Sequence, residues 1–265
     1  MTPEAFRLAF GPVALITGAS DGIGRAFAAN LAARGLDLVL VARRADALEE
    51  IASDLSRRHG ITARTVALDL AEPGAATRLV AEVEADDVGL LVAAAGYGSS
   101  GPFLAQDAGE ESRMVELNCR AVVELAHGLG TRISRRKRGG LVLFGSLMGF
   151  QGVPWSATYA ATKAFVQSLA EGLAVELAPR GVAVLSVAPG PVASGFGARA
   201  GMALGRSAGP DTVAEGALRA LISRKRMVRP GFLSKGLGWS LSLLPRAARV
   251  RVMGQLMRGM AEGGR

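Results

Sequence analysis

Cysteine and histidine are scarce, and the scarcity excludes two kinds of architecture. The chain has 265 residues with one cysteine, Cys119, and two histidines, His59 and His127. One thiol closes no intramolecular disulfide, and two imidazoles without partner thiols make no ordinary zinc site, so no metal is expected. Cys119 is expected to act as a small apolar helix residue. The opening Met1-Thr2-Pro3-Glu4-Ala5-Phe6-Arg7 lacks a basic segment leading into an apolar one, so no secretory signal is read there and a cytoplasmic location is expected. Nor is there a run of about 18 uninterrupted apolar residues, the length a helix needs to cross a bilayer. No Pro/Ser-rich linker, charge block or repeat divides the chain, and one domain over residues 1–265 is the expectation.

The net charge of +8 is unevenly placed. From Met227 onward Arg229, Lys235, Arg246, Arg249, Arg251, Arg258 and Arg265 face Glu262 alone, which leaves +2 for everything before. Basic character is thus a property of the tail, and a nucleic-acid partner is not expected.

What is abundant is apolar sequence, 49% of the residues. Val13–Thr17 is a short β-branched run, followed by a glycine-rich turn and a helical segment that stops at Gly35. Leu36–Ala42, Ala63–Ala67, Gly89–Ala95, Gly140–Phe144 and Val182–Val187 repeat the strand pattern with helical stretches between, and Met227–Arg229 adds a candidate edge strand. Near-continuous apolar strands alternating with helices predict an α/β fold. The expectation is a Rossmann-type doubly wound parallel sheet with helices on both faces.

The first turn carries Gly18, Gly22 and Gly24, spaced G-x-x-x-G-x-G between strand and helix. Glycines there let a pyrophosphate approach the backbone, and the N–H groups of the helix end attract its charge. At the end of the second strand, where an acidic residue would hold a ribose hydroxyl, the chain has Arg43 and Arg44. A guanidinium binds a 2′-phosphate that a carboxylate would repel, which predicts NADP over NAD; the plain alternative is a solvated basic pair opening a surface helix. Ser20 is placed to offer a hydroxyl to that phosphate. Asp21 is read as a helix cap whose charge is unfavourable if it points at a cofactor.

Tyr159 and Lys163 stand four apart in a helical stretch, so phenol and ammonium share one face. A cation so close is expected to lower the phenol's pKa and make it a proton donor or acceptor near neutrality. Ser146 lies thirteen residues upstream of the tyrosine.

These residues belong together in one family. Thr17-Gly18 with Gly22-Ile23-Gly24, Asp69, Ala93–Gly96, Asn118, Ser146, Tyr159 with Lys163, and Pro189-Gly190 occur in order. By them the chain resembles the short-chain dehydrogenase/reductases, specifically the classical subfamily, over roughly residues 10–195. The resemblance implies that Tyr159 is the catalytic acid/base. It implies that Lys163 binds the nicotinamide ribose and tunes the tyrosine, that Ser146 orients the substrate oxygen, and that Asn118 helps hold a water in a proton relay. It implies cofactor contacts from Gly18, Ser20, Asp21, Gly22, Ile23, Gly24, Arg43 and Arg44. Further contacts follow from Asp69 and Leu70 near the adenine, then Ala95, Gly96, Pro189, Gly190, Val192 and Ser194. The alanines at 93–95 stand where the family usually has an asparagine, which predicts weaker polar support near the adenosine half. A homodimer or homotetramer is expected by resemblance alone.

The implied activity is NADP-dependent reduction of a carbonyl, or oxidation of the matching alcohol, on a small apolar substrate. Alternatives are a catalytically silent NADP-binding sensor or scaffold, and a membrane-associated reductase acting on a lipid-like substrate. Residues 193–215, rich in Gly, Ala and Ser with Phe196, Met202 and Leu204 among them, are expected to form a substrate lid. Val153, Pro154 and Trp155 are expected to line an apolar pocket. Residues 231–265 form a basic extension in which Arg246–Ala261 reads as an amphipathic helix. Val250, Met253, Leu256, Met257 and Met260 fall on one side of it, and Arg251, Gln255, Arg258 and Glu262 on another. Packing on the body or a second subunit, where the stripe shapes the pocket, is favoured over contact with a membrane.

Overall fold

The strands predicted from apolar runs form one parallel sheet, because each run is sealed by helices on both sides. In a computed structural model, residues 1–202, 207–231 and 244–262 are described, Ala261 and Glu262 by backbone alone. The strands are β1 (Val13–Thr17), β2 (Asp37–Ala42), β3 (Ala63–Ala67), β4 (Val88–Ala93), β5 (Gly140–Phe144), β6 (Ala183–Val187) and β7 (Met227–Val228). They lie in the order β3-β2-β1-β4-β5-β6-β7, every pair parallel. The chain therefore switches direction across the sheet between β1 and β4, and a crevice opens at the carboxyl ends of those strands.

Side-chain alternation divides each apolar strand between two cores. Ala14, Ile16, Leu38, Leu40, Leu90 and Val92 enter one, with Phe27 and Leu31 of α2 (Gly22–Ala32) and Leu48 and Leu55 of α3 (Ala45–His59). Leu15, Val39, Val41, Leu91 and Leu141 enter the other. Register makes that second core continuous: Leu15 pairs with Val39 and with Leu91, and Leu91 pairs with Leu141. Each such leucine, fully buried, stabilises the fold by about 1.5–3 kcal/mol.

One helix was not anticipated. α1 (Pro3–Phe10) is capped by the Thr2 hydroxyl and buries Phe6 and Phe10, whose rings lie 5.0 Å apart, against the first core. Among the described residues the remaining helices are α4 (Ala75–Glu82), α5 (Ala108–Val115), α6 (Ala121–Arg135), α7 (Ala157–Glu176), α8 (Phe196–Ala200), α9 (Pro210–Ile222) and α10 (Arg246–Glu262). Between α5 and α6 the chain makes a π-turn over Glu116–Arg120. That extra residue per turn was not legible in the apolar pattern, and it carries Asn118.

The expected lid is shorter than its composition suggested. Pro210 opens α9, and Val213 and Ala214 are fully buried in the first core, so the C-terminal part of the 193–215 segment is core helix. The intervening chain holds α8, and Val192 bridges Ala208 in parallel. Leu204 and the apolar stretch over residues 236–243 fall outside the described residues.

Candidate active site

Sequence spacing places Tyr159 and Lys163 in the first turns of α7, and the fold brings three further segments to them. Ser146 follows β5 and starts a short 3-10 turn; its hydroxyl accepts from the Met148 N–H at 3.2 Å and lies near enough to the Tyr159 phenol to favour its ionised form. Lys163 Nζ donates to the Phe144 carbonyl at 3.1 Å and lies 5.6 Å from the Tyr159 ring centroid. The Asn118 amide donates to the Tyr97 carbonyl at 2.9 Å and to Thr162 Oγ1 at 3.1 Å, and its oxygen accepts from the Tyr97 N–H. Thr162 Oγ1 in turn donates to the Tyr159 carbonyl at 2.8 Å. Asn118 thus ties the loop after β4 to the turn that carries the tyrosine. The proton relay expected of it does not start from a spare side-chain amide, since that group is committed to protein partners.

The electrostatics correct one expectation. Lys163 was expected to bring the phenol's pKa down. Burial instead pushes Tyr159 up to about 12, and the nearby Ser146 hydroxyl pulls the other way. Burial acts on the lysine too and brings it down to about 8. In a closed apolar setting desolvation outweighs the neighbouring charge, and each group moves toward its neutral form.

The backbone just before α7 is strained. Trp155 has φ +70°, a left-handed conformation that costs a bulky residue about 1–3 kcal/mol. It is held there because its carbonyl accepts from the Gly101 N–H at 2.8 Å and the next hydroxyl, Ser156, donates to Ser99 at 2.8 Å.

A cleft of about 670 Å³ runs from the glycine turn past Tyr159. At its first end Gly18 has φ +68°, and a side chain on Gly24 would run into the Gly18 carbonyl, so turn and helix meet backbone on backbone. Asp21 caps α2 by accepting from Gly22 N–H at 2.7 Å, and its second oxygen accepts from Gly195 N–H at 3.1 Å. Its charge is therefore spent on two N–H groups and clips the glycine turn to the segment before α8. Arg44 donates to the Ser20 carbonyl at 3.0 Å and its hydroxyl at 3.3 Å, while Arg43 is half exposed and only loosely paired with Asp69, at 3.8 Å. Where the usual asparagine is missing, Thr17 Oγ1 accepts from the Ala95 N–H at 3.0 Å and joins the ends of β1 and β4.

All of the predicted cofactor residues line this cleft except Lys163, which sits behind Tyr159 with Asn118; Ser146 and Tyr159 line it. Sequence reasoning missed Arg113, which faces the cleft and pairs with Asp69 at 2.6 Å. It also misplaced one part of the apolar wall. Val153–Trp155 do not line the cleft but support α10: Gly254 sits on Pro154, and the Arg258 guanidinium lies 5.2 Å from the Trp155 ring centroid. The wall is instead Met148, Phe196, Met202, Met253, Met257 and Met260. The apolar side of α10 is thus turned onto the body, as the packing alternative required. No helix among the described residues is long and apolar enough to cross a membrane.

Comparison with known proteins gives concordant matches. Residues 12–203 match the family described as short chain dehydrogenase. A 7beta-hydroxysteroid dehydrogenase of Clostridium sardiniense is 35% identical over 185 residues, 70% of this chain and 71% of that protein. A very-long-chain 3-oxoacyl-CoA reductase of Neurospora crassa is 36% identical over 179 residues, 66% of this chain; the match spans 54% of that longer protein. Among solved structures, a short-chain dehydrogenase from Sphingobium yanoikuyae in complex with NADPH superposes with a TM-score of 0.80 at 32% identity, covering 89% of this chain and 97% of the other.

Proposed function

Because the chain belongs to the short-chain dehydrogenase/reductase family of NAD(P)-dependent enzymes, we propose that it reduces a bulky apolar ketone to an alcohol, or runs the reverse reaction, with NADP(H). The observation that carries this reading is one continuous cleft in which Tyr159 and Ser146 stand between a glycine turn and a methionine-rich wall. The first half fits a phosphorylated dinucleotide: glycines 18 and 24 leave the backbone bare, and Arg44 is fixed beside the Ser20 hydroxyl. The relatives' steroid and long-chain acyl substrates support bulk at the other end.

When bound, the nicotinamide cofactor supplies the hydride. Negative charge grows on the substrate oxygen, and the hydroxyls of Ser146 and Tyr159 are the donors that meet it. Tyr159 yields its proton to that oxygen. With burial holding the phenol at about 12, it is protonated at neutral pH, the form that reduction requires. Lys163 stabilises the phenolate left behind. Asn118 and Thr162 hold the first turn of α7 against the loop at Tyr97, which fixes the aim of the phenol.

Cofactor choice is assigned to Arg43, because Arg44 is already engaged by the Ser20 carbonyl. Arg43→Ala is expected to weaken NADPH binding roughly tenfold, the value of one charge-assisted hydrogen bond, and to leave NADH within about twofold. Fluorescence titration with both cofactors checks this; equal losses would remove the assignment.

A further inference from the structure

The wall beyond Tyr159 is built by methionines from three separate segments, and one charged side chain interrupts it. Among the described residues lining this end of the cleft, Arg199 is the only charged one. It makes no ion pair with any described residue. Asp21, which holds the segment just before α8, is occupied by the N–H groups of Gly22 and Gly195. Arg199 follows Phe196 by three positions on α8, so the two side chains neighbour each other on one helix face. The Phe196 ring in turn lies 5.4 Å from the Tyr159 ring. A guanidinium is therefore set one helical turn from a ring that packs on the proton donor's ring, on the lining of the same cleft.

Resting on the reading of this cleft as a carbonyl-reducing site, we propose that the substrate bears an anionic group remote from its carbonyl, and that Arg199 receives it. Arg199 is exposed, so a wholly neutral apolar ligand leaves it in water and gains nothing from it. A carboxylate or phosphate would meet it with paired, charge-assisted hydrogen bonds. Methionine side chains adapt to different skeletons, so the wall selects bulk more than shape. Arg199 then decides which end enters last, and so presents the carbonyl to Tyr159 and Ser146. It acts in binding and orientation and takes no part in proton transfer.

The test uses matched pairs with NADPH: a keto-steroid carboxylic acid and its methyl ester, and a long-chain oxo acid and its methyl ester, with an oxoacyl-CoA as a third anionic source. The acid is expected to exceed its ester roughly tenfold in kcat/KM, through KM, in at least one skeleton, or the CoA thioester to exceed the neutral esters by as much. Whichever arm shows the preference identifies the source of the anion. Arg199→Leu should bring the ratio to about one, and Arg199→Lys should restore part of it. A second readout needs no turnover: dodecanoate should raise the melting temperature of the wild type, but not of Arg199→Leu, while dodecanol acts equally on both. Anionic and neutral substrates used alike, with both variants unchanged in ratio, would overturn the proposal. Dodecanoate binding through Arg199 without NADPH-dependent reduction of any ketone would uphold the anion site and refute the carbonyl-reducing reading instead.

Discussion

Tyr159→Phe is expected to lower kcat about 10²–10⁴-fold, the usual contribution of a positioned general acid. The NADPH dissociation constant should stay within about threefold. The separation follows from the geometry. The ring is packed against Phe196 and the backbone at Gly98, and phenylalanine keeps that packing. Only the hydroxyl is lost, together with its interaction with Ser146. The glycine turn and the Arg44–Ser20 pair lie at the other end of the cleft and are untouched. Steady-state rates at saturating NADPH, beside a fluorescence titration of NADPH, measure both quantities. Full activity in the variant would contradict the role given to Tyr159.

Lys163→Met is expected to remove turnover, at least about 100-fold, and yet to make the protein more stable at pH 7. Burial lowers the lysine from 10.5 to about 8, so at pH 7 the fold carries a buried ammonium at a cost of roughly 3 kcal/mol. Methionine has similar length and removes that cost, though the Phe144 carbonyl loses its donor. A net gain of about 1–2 kcal/mol should raise the melting temperature by about 3–6 °C. The pH dependence has a fixed sign. Between about 8 and 10.5 the unfolded chain holds the lysine proton and the folded chain has released it, so wild-type stability rises with pH in that window. Tyr159 acts later and oppositely: its raised pKa supports the fold below pH 10 and that support fades as pH climbs toward about 12. The advantage of Lys163→Met should therefore shrink from pH 7 toward pH 10. Denaturation at both pH values checks it; a less stable variant at pH 7, or an advantage independent of pH, would contradict the account.

The glycine turn, the sheet and the tyrosine–lysine pair were legible because each is local or strictly periodic. Gly18 to Gly24 lie within one strand-turn-helix unit, and Tyr159 and Lys163 within two turns of one helix. Strand boundaries shifted by one or two residues, as with Ala93 for Ala95, because an apolar run continues past the last ladder bond. What depended on distant packing was not legible. The apolar stripe of α10 was legible and pointed to packing that shapes the pocket, but no local pattern announces that Val153–Trp155 serve as its bed. The partnership of Arg113 with Asp69 joins residues on separate elements. The direction of the Tyr159 pKa was misjudged for a related reason: sequence gives the neighbouring charge but not the depth of burial that outweighs it.

The central claim is that this cleft carries hydride from a nicotinamide to a ketone carbon. The most direct measurement supplies NADPH deuterated at C4, in each of its two stereoisomers, with an accepted bulky ketone, and locates the label in the product by mass and NMR spectra. The account predicts one deuterium on the carbinol carbon from one stereoisomer and none from the other, since a single fixed cleft presents one face of the nicotinamide. Alcohol formed without label from either stereoisomer would contradict it.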